Sequence, residues 1–366
     1  GDGKTVSGSS ITFSKCHIHD NFKGKFESYS LFVLGFLKSE TINIIDCTFE
    51  QNGCICIYHD STQDSYNCNI VRCTFNNNEG KSGCCITSDK KDSSYEINIE
   101  DCKFKYNTAN TKDRNGPAYG CVYANIMSVK FQGVNEFIGN RNIITAQNPF
   151  IESLGGSLTL IQGSSNREEA IISNLVCQDG YSEGYGGGIG FLGKDYMGGN
   201  SESNSKFIQF DNCTFINCSS AKQGGAIKFG SSDSFIKYTD DAKLINCQFT
   251  QCESPEGGAL YFMDGDKAGD EETVIENCTF DGCSAKNKGS TLYCCSYKFK
   301  MSDSTFKNMN SGPKKALMYI NLNENDGLQP EVTNCTFYNN GERIEFASGD
   351  GKTVSGSSIT FSKCHI

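Results

Sequence analysis

The chain has 366 residues and a formal net charge of −10, with 33 Lys and Arg against 43 Asp and Glu. Its basic residues are interspersed with acidic ones, which excludes the clustered positive surface that binding to nucleic-acid phosphates requires. No apolar run approaches the roughly 18 residues that a membrane-spanning helix needs. We therefore expect neither a nucleic-acid partner nor a membrane span in this chain.

Cysteine is the most unusual part of the composition. The chain contains 21 Cys, and this density is typical of disulfide frameworks in oxidising compartments, so we predict an extracellular protein, secreted or at a cell surface. The paired CxxC spacings of zinc ribbons do not occur. The alternative that many of these cysteines are reduced stays open, because a buried Cys packs as a small apolar residue.

A motif centred on Phe recurs along the chain and predicts one short strand per repeat. In chain order its copies are DCTFEQN from residue 46, RCTFNNN from 72, DCKFKYN from 101, NEFIGN from 135, NCTFINC from 212, NCQFTQC from 246, NCTFDGC from 277, DSTFKNM from 303 and NCTFYNN from 334. The anchors run from Phe13 to Phe361 at spacings of 24 to 36 residues, with one gap of 78 whose missing anchor we place near Leu175. Eleven repeats result.

A Gly-rich motif follows the Phe motif at a nearly constant distance. Its copies are GCCITS from residue 83, GGGIGF from 186, GGAIKF from 224, GGALYF from 257 and GSTLYC from 289. Short β-branched and aromatic segments between Gly, Asn and Ser predict strands, and no helical period persists. Repeats of two or three strands that are too short to stand alone must stack on one another.

The fold class predicted from these repeats is all-β, a parallel β-helix (solenoid) of about eleven coils of 24–39 residues. Alternation along each strand directs the Cys and Phe of the motif inward and the Thr between them outward, and the Asn three residues before each Phe suits a left-handed corner. We predict that the inward Phe residues form one core stack: Phe49, Phe75, Phe104, Phe215, Phe249, Phe280, Phe306 and Phe337.

The paired GGA[I/L] and Fxx[N/C] motifs resemble the repeats of the polymorphic outer membrane proteins of chlamydiae and of similar repeat proteins on the surfaces of protists. Phe75 to Asn78, Phe104 to Asn107 and Phe215 to Cys218 carry this resemblance, which covers most of the chain loosely and residues 205–340 best. It implies a right-handed β-helix at a cell exterior that acts in adhesion or as a stalk. The chain departs from the family in its heavier cysteine content.

Two columns of cysteine follow from the stacking of the Phe motif. One lies two residues before the Phe and the other three residues after it: Cys213, Cys247, Cys278 and Cys335, and Cys218, Cys252 and Cys283. Cα atoms one coil apart fall within the range of about 4.4 to 6.8 Å that a disulfide bridges, so we expect disulfides between neighbouring coils. Pairing within a coil, from Cys213 to Cys218, and reduced core thiols are the alternatives.

Residues 1–18 and 349–366 are identical, GDGKTVSGSSITFSKCHI. We interpret residues 1–348 as one β-helix unit and residues 349–366 as the start of the next identical unit in a tandem array. An uncapped last coil presents unpaired backbone that recruits a further strand. The predicted partner is therefore the protein itself, through end-to-end stacking of coils.

Four Asn-x-Ser/Thr sequons predict N-glycosylation, at Asn212, Asn217, Asn277 and Asn334. The same Asn residues belong to the predicted ladder of corners, and a glycan fits only where that corner faces water. The acidic loop with Asp264, Asp266, Asp270 and Glu272 is a weak candidate for a hard cation, and a solvated loop is the preferred interpretation. We interpret His17 and His19 as ordinary surface residues.

We predict a structural subunit of an extracellular filament that is reinforced by disulfides, is not an enzyme and needs no cofactor. No concentrated set of carboxylates supports glycoside chemistry, and no GxSxG nucleophile motif occurs. The alternative is a cell-surface adhesin that binds host or cell-surface glycans through long loops, and a polysaccharide lyase or hydrolase is a further one. An ice-binding face built from the outward Thr residues is disfavoured by the interruptions at Lys103 and Gln248.

Overall fold

A computed structural model describes the chain at residues 10–22, 30–34, 41–59, 67–80, 83–88, 96–111, 118–126, 128–144, 153–161, 169–192, 207–230, 241–262, 272–294, 298–309, 316–321, 330–341, 343–347 and 360–366. The described part is all-β, and its strands pair in parallel, which confirms the predicted parallel β-helix. Each coil stacks on the next through the same strands, so backbone hydrogen bonds run along the axis of the solenoid.

The Phe motif forms one sheet along the whole solenoid, named here the Phe sheet. It has eleven strands, one for each predicted coil. They are His17–His19, Thr48–Glu50, Thr74–Asn76, Lys103–Lys105, Asn135–Ile138, Leu175–Gln178, Thr214–Ile216, Gln248–Thr250, Thr279–Asp281, Thr305–Lys307 and Thr336–Tyr338.

The segment after the Gly-rich motif forms a second sheet of eleven strands, the Gly sheet. Its strands are Ser30–Leu34, Ile55–His59, Ile86–Ser88, Val122–Asn125, Leu158–Ile161, Ile189–Leu192, Ile227–Phe229, Leu260–Phe262, Leu292–Cys294, Ala316–Asn321 and Arg343–Ala347. The strands that follow the Gly-rich motif begin at a crowded corner. Gly224 and Gly257 have φ of +67° and +63°, and a Cβ on Gly225 would lie 2.0 Å from the Gly258 carbonyl oxygen. Glycine is therefore required at Gly224, Gly225 and Gly257, whereas Ser290 takes the second position in the copy that begins at residue 289.

The third wall of the solenoid, the split wall, precedes the Phe sheet in each coil and consists of two sheets. The first contains Ser10–Ser14, Thr41–Ile45, Asn67–Val71, Glu96–Glu100 and Val129–Gln132, and the second contains Glu169–Ser173, Phe207–Asp211, Asp241–Ile245, Glu272–Glu276, Lys298–Ser302, Glu331–Thr333 and Thr360–Ser362. Short strands between the Phe and Gly sheets complete the coils, namely Glu79–Gly80, Thr108–Thr111, Arg141–Ile144, Tyr181–Ser182, Ser219–Ser220, Glu253–Glu256 and Ser284–Lys288, with Ala118–Tyr119 and Ser153–Leu154 as a separate pair.

The register corrects two details of the predicted repeat. Phe13 lies in the split wall opposite Ile44, and Ile18 occupies the place opposite Phe49. Phe13 is therefore not an anchor of the Phe sheet, because Ile18, two residues after Cys16, takes the anchor position. Coil lengths reach 40 residues between Phe137 and Cys177, beyond the predicted 39, since extra residues between strands do not disturb the ladder.

Candidate functional site

The core of the solenoid contains a column of stacked Phe rings in two runs. Phe49, Phe75, Phe104 and Phe137 stack with ring centroids 4.5 to 4.8 Å apart, and Phe215 begins a second run after Cys177. The second run continues at 4.8 to 5.1 Å through Phe249, Phe280, Phe306 and Phe337. All eight predicted Phe residues lie in this column. Their stacking repeats the strand spacing of a parallel sheet, so the column joins each coil to its neighbours by apolar contact.

The cysteine column before the Phe lies in the core as a ladder of thiols. Cys213, Cys247 and Cys278 are buried, and each Sγ lies 3.4 to 3.5 Å from a carbonyl oxygen of the preceding coil. Each Sγ also lies 3.3 to 3.5 Å from a carbonyl oxygen of its own coil, so the S–H group has acceptors both within its coil and along the axis of the solenoid. Cys47, Cys73, Cys102 and Cys335 extend the column in other coils, and each of these thiols is also buried. The column after the Phe contains Cys218, Cys252 and Cys283, all buried.

The predicted disulfides are not formed in the structure. The twenty described cysteines are free thiols, and eighteen of them are buried. Residues in register on parallel strands have Cβ atoms about one strand spacing apart, about 4.8 Å. A disulfide needs a Cβ separation of about 3.5 to 4.5 Å, so bridging within a column would pull the coils together. The Cα range used for the prediction does not detect this mismatch.

Hydrogen bonds with the Cys213 and Cys73 thiols lower the pKa of Cys247 and Cys102 in the column before the Phe, whereas burial raises the pKa of several other thiols. Burial raises the pKa of the Cys68 thiol to about 12 and that of the Cys54 thiol to about 11. Burial likewise raises the pKa of Cys335 to about 11. Because the column thiols are buried away from solvent, they pack as small apolar residues of the core.

A ladder of buried Asn side chains occupies the column three residues after the Phe in the first coils. The Nδ2 of Asn52 donates to the Oδ1 of Asn78 at 3.0 Å, Asn78 donates to Asn107 at 3.0 Å, and Asn107 donates to Asn140 at 3.1 Å. Each Oδ1 also accepts from the backbone N–H of the preceding ladder residue. The same column holds Cys218 in a later coil, so the Fxx[N/C] alternation marks two kinds of core. Our sequence reasoning noted that alternation without assigning it to a hydrogen-bonded ladder.

The four sequon Asn residues lie on the outside of the solenoid at exposed corners. Asn212, Asn217, Asn277 and Asn334 have φ between 50° and 53°, the left-handed conformation that the corner requires. Each Nδ2 donates to an oxygen on the preceding coil, for example from Asn212 to the Oδ1 of Asn174 at 2.7 Å. The corner ladder therefore faces water, which resolves the conflict between a ladder and a glycan. Attachment of a glycan at these residues stays a prediction.

The candidate cation loop lies mostly outside the described residues, which do not include Asp264, Asp266 or Asp270. Glu272 is described, and its carboxylate forms an ion pair with the Lys300 ammonium at 2.6 Å. Among the residues that the structure describes, no three His, Cys, Asp or Glu side chains are arranged to hold a metal ion. His17 and His19 are exposed, and the Nε2 of His17 lies 3.2 Å from a Glu50 carboxylate oxygen.

A second aromatic column lies on the outer side of the Gly sheet, and the sequence reasoning missed it. Tyr261, Tyr293 and Tyr319 stack with ring centroids 4.6 and 4.9 Å apart. Lys228 precedes Tyr261 in the same register and is fully buried. Its Nζ lies 3.6 Å from the ring centroid of Tyr185, a cation–π contact. The sequence feature that could have predicted this column is the residue between the two apolar residues of the Gly-rich motif, which is Lys228 in AIKF and Tyr261 in ALYF.

The described parts of the two copies of the duplicated sequence, residues 10–18 and 360–366, lie in the first coil and after the eleventh coil. Lys15 has φ of 57° and Lys363, its equivalent, has φ of 54°. In the first copy, Ser10–Ser14 pairs with Thr41–Ile45 of the following coil. In the second copy, Thr360–Ser362 pairs with Glu331–Thr333 of the preceding coil. The second copy thus continues the stack in register beyond the eleventh coil.

Searches with the sequence and the structure against protein-family models, curated proteins and solved structures found no match. The described residues contain no helix of the length and apolarity that crossing a membrane requires. The features of the molecule that bear on its function are therefore the Phe, Cys and Asn columns of the core and the two end coils.

Proposed function

We propose that the chain is a structural unit of an extracellular filament, in which coils stack end to end without interruption. The single observation that carries this proposal is the seating of residues 360–366 on the last coil in the register of a further coil. Thr360 N–H donates to the Pro330 carbonyl at 3.0 Å, and His365 N–H donates to the Cys335 carbonyl at 2.9 Å. Phe361 lies opposite the buried Val332, so the apolar core also continues into the copy.

Load along such a filament is carried by elements that all run parallel to its axis. Backbone hydrogen bonds, the Phe stack, the Asn ladder and the thiol columns each connect one coil to the next. These contacts involve only neighbouring coils, so every further coil adds the same stabilisation as the last. The described cysteines are free thiols in this structure, so the proposal does not depend on disulfide reinforcement. The extracellular location rests on the resemblance and on the sequons.

Electron microscopy of the purified chain and of native material tests the proposal. At the strand spacing of a parallel sheet, eleven coils advance about 53 Å, so a filament should give a layer line near that axial repeat and a strong reflection near about 4.8 Å. Discrete particles one unit long in native material would contradict the filament. They would favour the adhesin, which a saturable binding assay on a glycan panel would then examine.

A further inference from the structure

The split wall is interrupted between the fifth and sixth coils. Its first sheet ends at Val129–Gln132, its second sheet begins at Glu169–Ser173, and the described residues form no ladder and no isolated bridge between these two strands. All other neighbouring coils of this wall are joined by parallel pairing, and the Phe sheet and the Gly sheet run through both coils without a break. At this place, within the described residues, one wall of the solenoid has no sheet hydrogen bonds that hold the coils together.

A one-residue insertion in the fifth coil coincides with the interruption. In every other described coil the strand of the split wall ends four residues before the position of the Phe column, as Glu100 does before Phe104. In the fifth coil Gln132 lies five residues before Phe137. The extra residue is Val134, which is 51% exposed. An extra residue in one strand of a pair is left unpaired and disrupts the ladder locally, so the insertion accounts for the lost pairing.

The columns of the core also change at these two coils. Cys177 lies between Phe137 and Phe215 in the Phe column and interrupts the ring stack. The inner Asn ladder ends at Asn140, because Gly180 has no side chain that could accept or donate at the equivalent place of the sixth coil. Three kinds of contact along the axis are thus lost together, namely the split-wall ladder, the ring stack and the Asn ladder.

Core side chains of the split wall are less enclosed at the interruption than in the coils on either side. Phe131 is 7% exposed, and Val129 and Ala170 are each 6% exposed. Ile99 and Phe210, at core positions of the same wall in the fourth and seventh coils, are 0% exposed. Solvent therefore reaches the core side of this wall where the ladder is missing.

We infer that the solenoid contains a hinge, at which the split wall opens and closes between the fifth and sixth coils while the Phe sheet and the Gly sheet stay bonded. Coils one to five and coils six to eleven then move as two rigid segments, because within each segment every wall is bonded from coil to coil. A small change of angle at this junction bends the whole solenoid, since hinge motion is confined to a few residues. The hinge lies within one chain, so the inference does not depend on the proposed filament.

Distances between spin labels measure this motion in the full chain. Asn69 and Gln209 occupy equivalent outer positions of the split wall four coils apart, about 19 Å along the axis, and the interruption lies between them. Gln209 and Glu331 are also four coils apart and enclose only bonded coils, so this pair is the matched control. With labels carried by a bio-orthogonal amino acid, double electron–electron resonance should give a distance distribution at least about twofold broader for the first pair. Equal widths for the two pairs in the otherwise unchanged chain would overturn the hinge.

Two variants test whether the insertion causes the hinge. Deletion of Val134 gives the fifth coil the corner length of its neighbours, so the distribution for Asn69 and Gln209 should narrow to that of the control pair. Insertion of one Val after Asn246 copies the longer corner into the eighth coil, so the distribution for the control pair should broaden about twofold. Far-UV circular dichroism shows whether each variant keeps the β-helix, and the comparison of the two pairs in the otherwise unchanged chain decides the hinge if a variant does not fold. A folded deletion variant that stays broad, or a folded insertion variant that stays narrow, would overturn the assignment of the hinge to the insertion.

Discussion

The Asn ladder permits the sharpest test of what joins the coils, through Asn107→Ala. The Asn107 Oδ1 accepts from both the backbone N–H and the Nδ2 of Asn78, at 2.9 and 3.0 Å. Its Nδ2 donates to the Phe75 carbonyl at 2.9 Å and to the Asn140 Oδ1 at 3.1 Å. The substitution removes four buried hydrogen bonds and leaves the Asn78 N–H without its acceptor. At about 0.5–1.5 kcal/mol per bond and about 1–3 kcal/mol for the orphaned donor, we expect a loss of about 3–9 kcal/mol.

Asn98→Ala is the matched control, since Asn98 belongs to the same coil but to a ladder on the outer side of the split wall. It donates one hydrogen bond to the Asn69 Oδ1 at 2.9 Å in a half-buried setting. We expect a loss below about 1 kcal/mol. Urea unfolding followed by circular dichroism gives the free energies, and hydrogen exchange locates the loss, because coils of a solenoid open locally. Equal losses for the two variants would refute the argument that burial of the inner ladder determines its contribution.

Three further predictions concern the core, the thiols and the corners. Phe280→Ala removes a fully buried ring that stacks on both sides, so the free energy of unfolding should fall by about 3–5 kcal/mol. Phe22→Ala, at a ring that is 40% exposed, should lower it by less than about 1 kcal/mol. Similar urea midpoints for the two variants would contradict the contribution of the stack. Among the twenty described thiols, iodoacetamide at pH 8 should modify only the two partly exposed ones, Cys16 and Cys364. Mass spectrometry that shows rapid labelling of the buried thiols in the native chain would contradict their protection by burial. Arg72 holds the pKa of the Asp46 carboxyl below its usual value. The pair therefore stabilises the fold at a pH above the usual pKa of Asp, and this stabilisation is lost as the pH falls through the lowered pKa. Arg72→Gln should raise the pKa of Asp46 in an NMR titration, and an unchanged pKa would exclude the ion pair.

Much of the architecture could be predicted because stacked coils have the same type of residue at equivalent positions. Phe280, its neighbouring Thr279 and the corner at Asn277 follow from alternation and from one left-handed residue. The state of Cys278 could not be predicted this way, since disulfide formation depends on the Cβ separation across coils, which sequence spacing does not contain. Likewise, an Asn three residues after a Phe reads as a turn residue until its inward direction is known, so Asn107 was missed.

Similar reasoning explains the misplaced register of the first coil. Phe13 looks like an anchor by residue type, but the Cys that marks the position of the column follows it, and only the pairing with Ile44 places it in the split wall.

The variable coil length has a consequence for how such a molecule can change over time. The distance between successive column positions ranges from 26 residues between Phe49 and Phe75 to 40 between Phe137 and Cys177. Each coil nonetheless advances by one strand spacing, about 4.8 Å. Gain of a whole coil lengthens the molecule by one fixed step, while gain of residues between strands alters only its girth and surface. The length of the solenoid and the size of its surface loops can therefore change independently of each other.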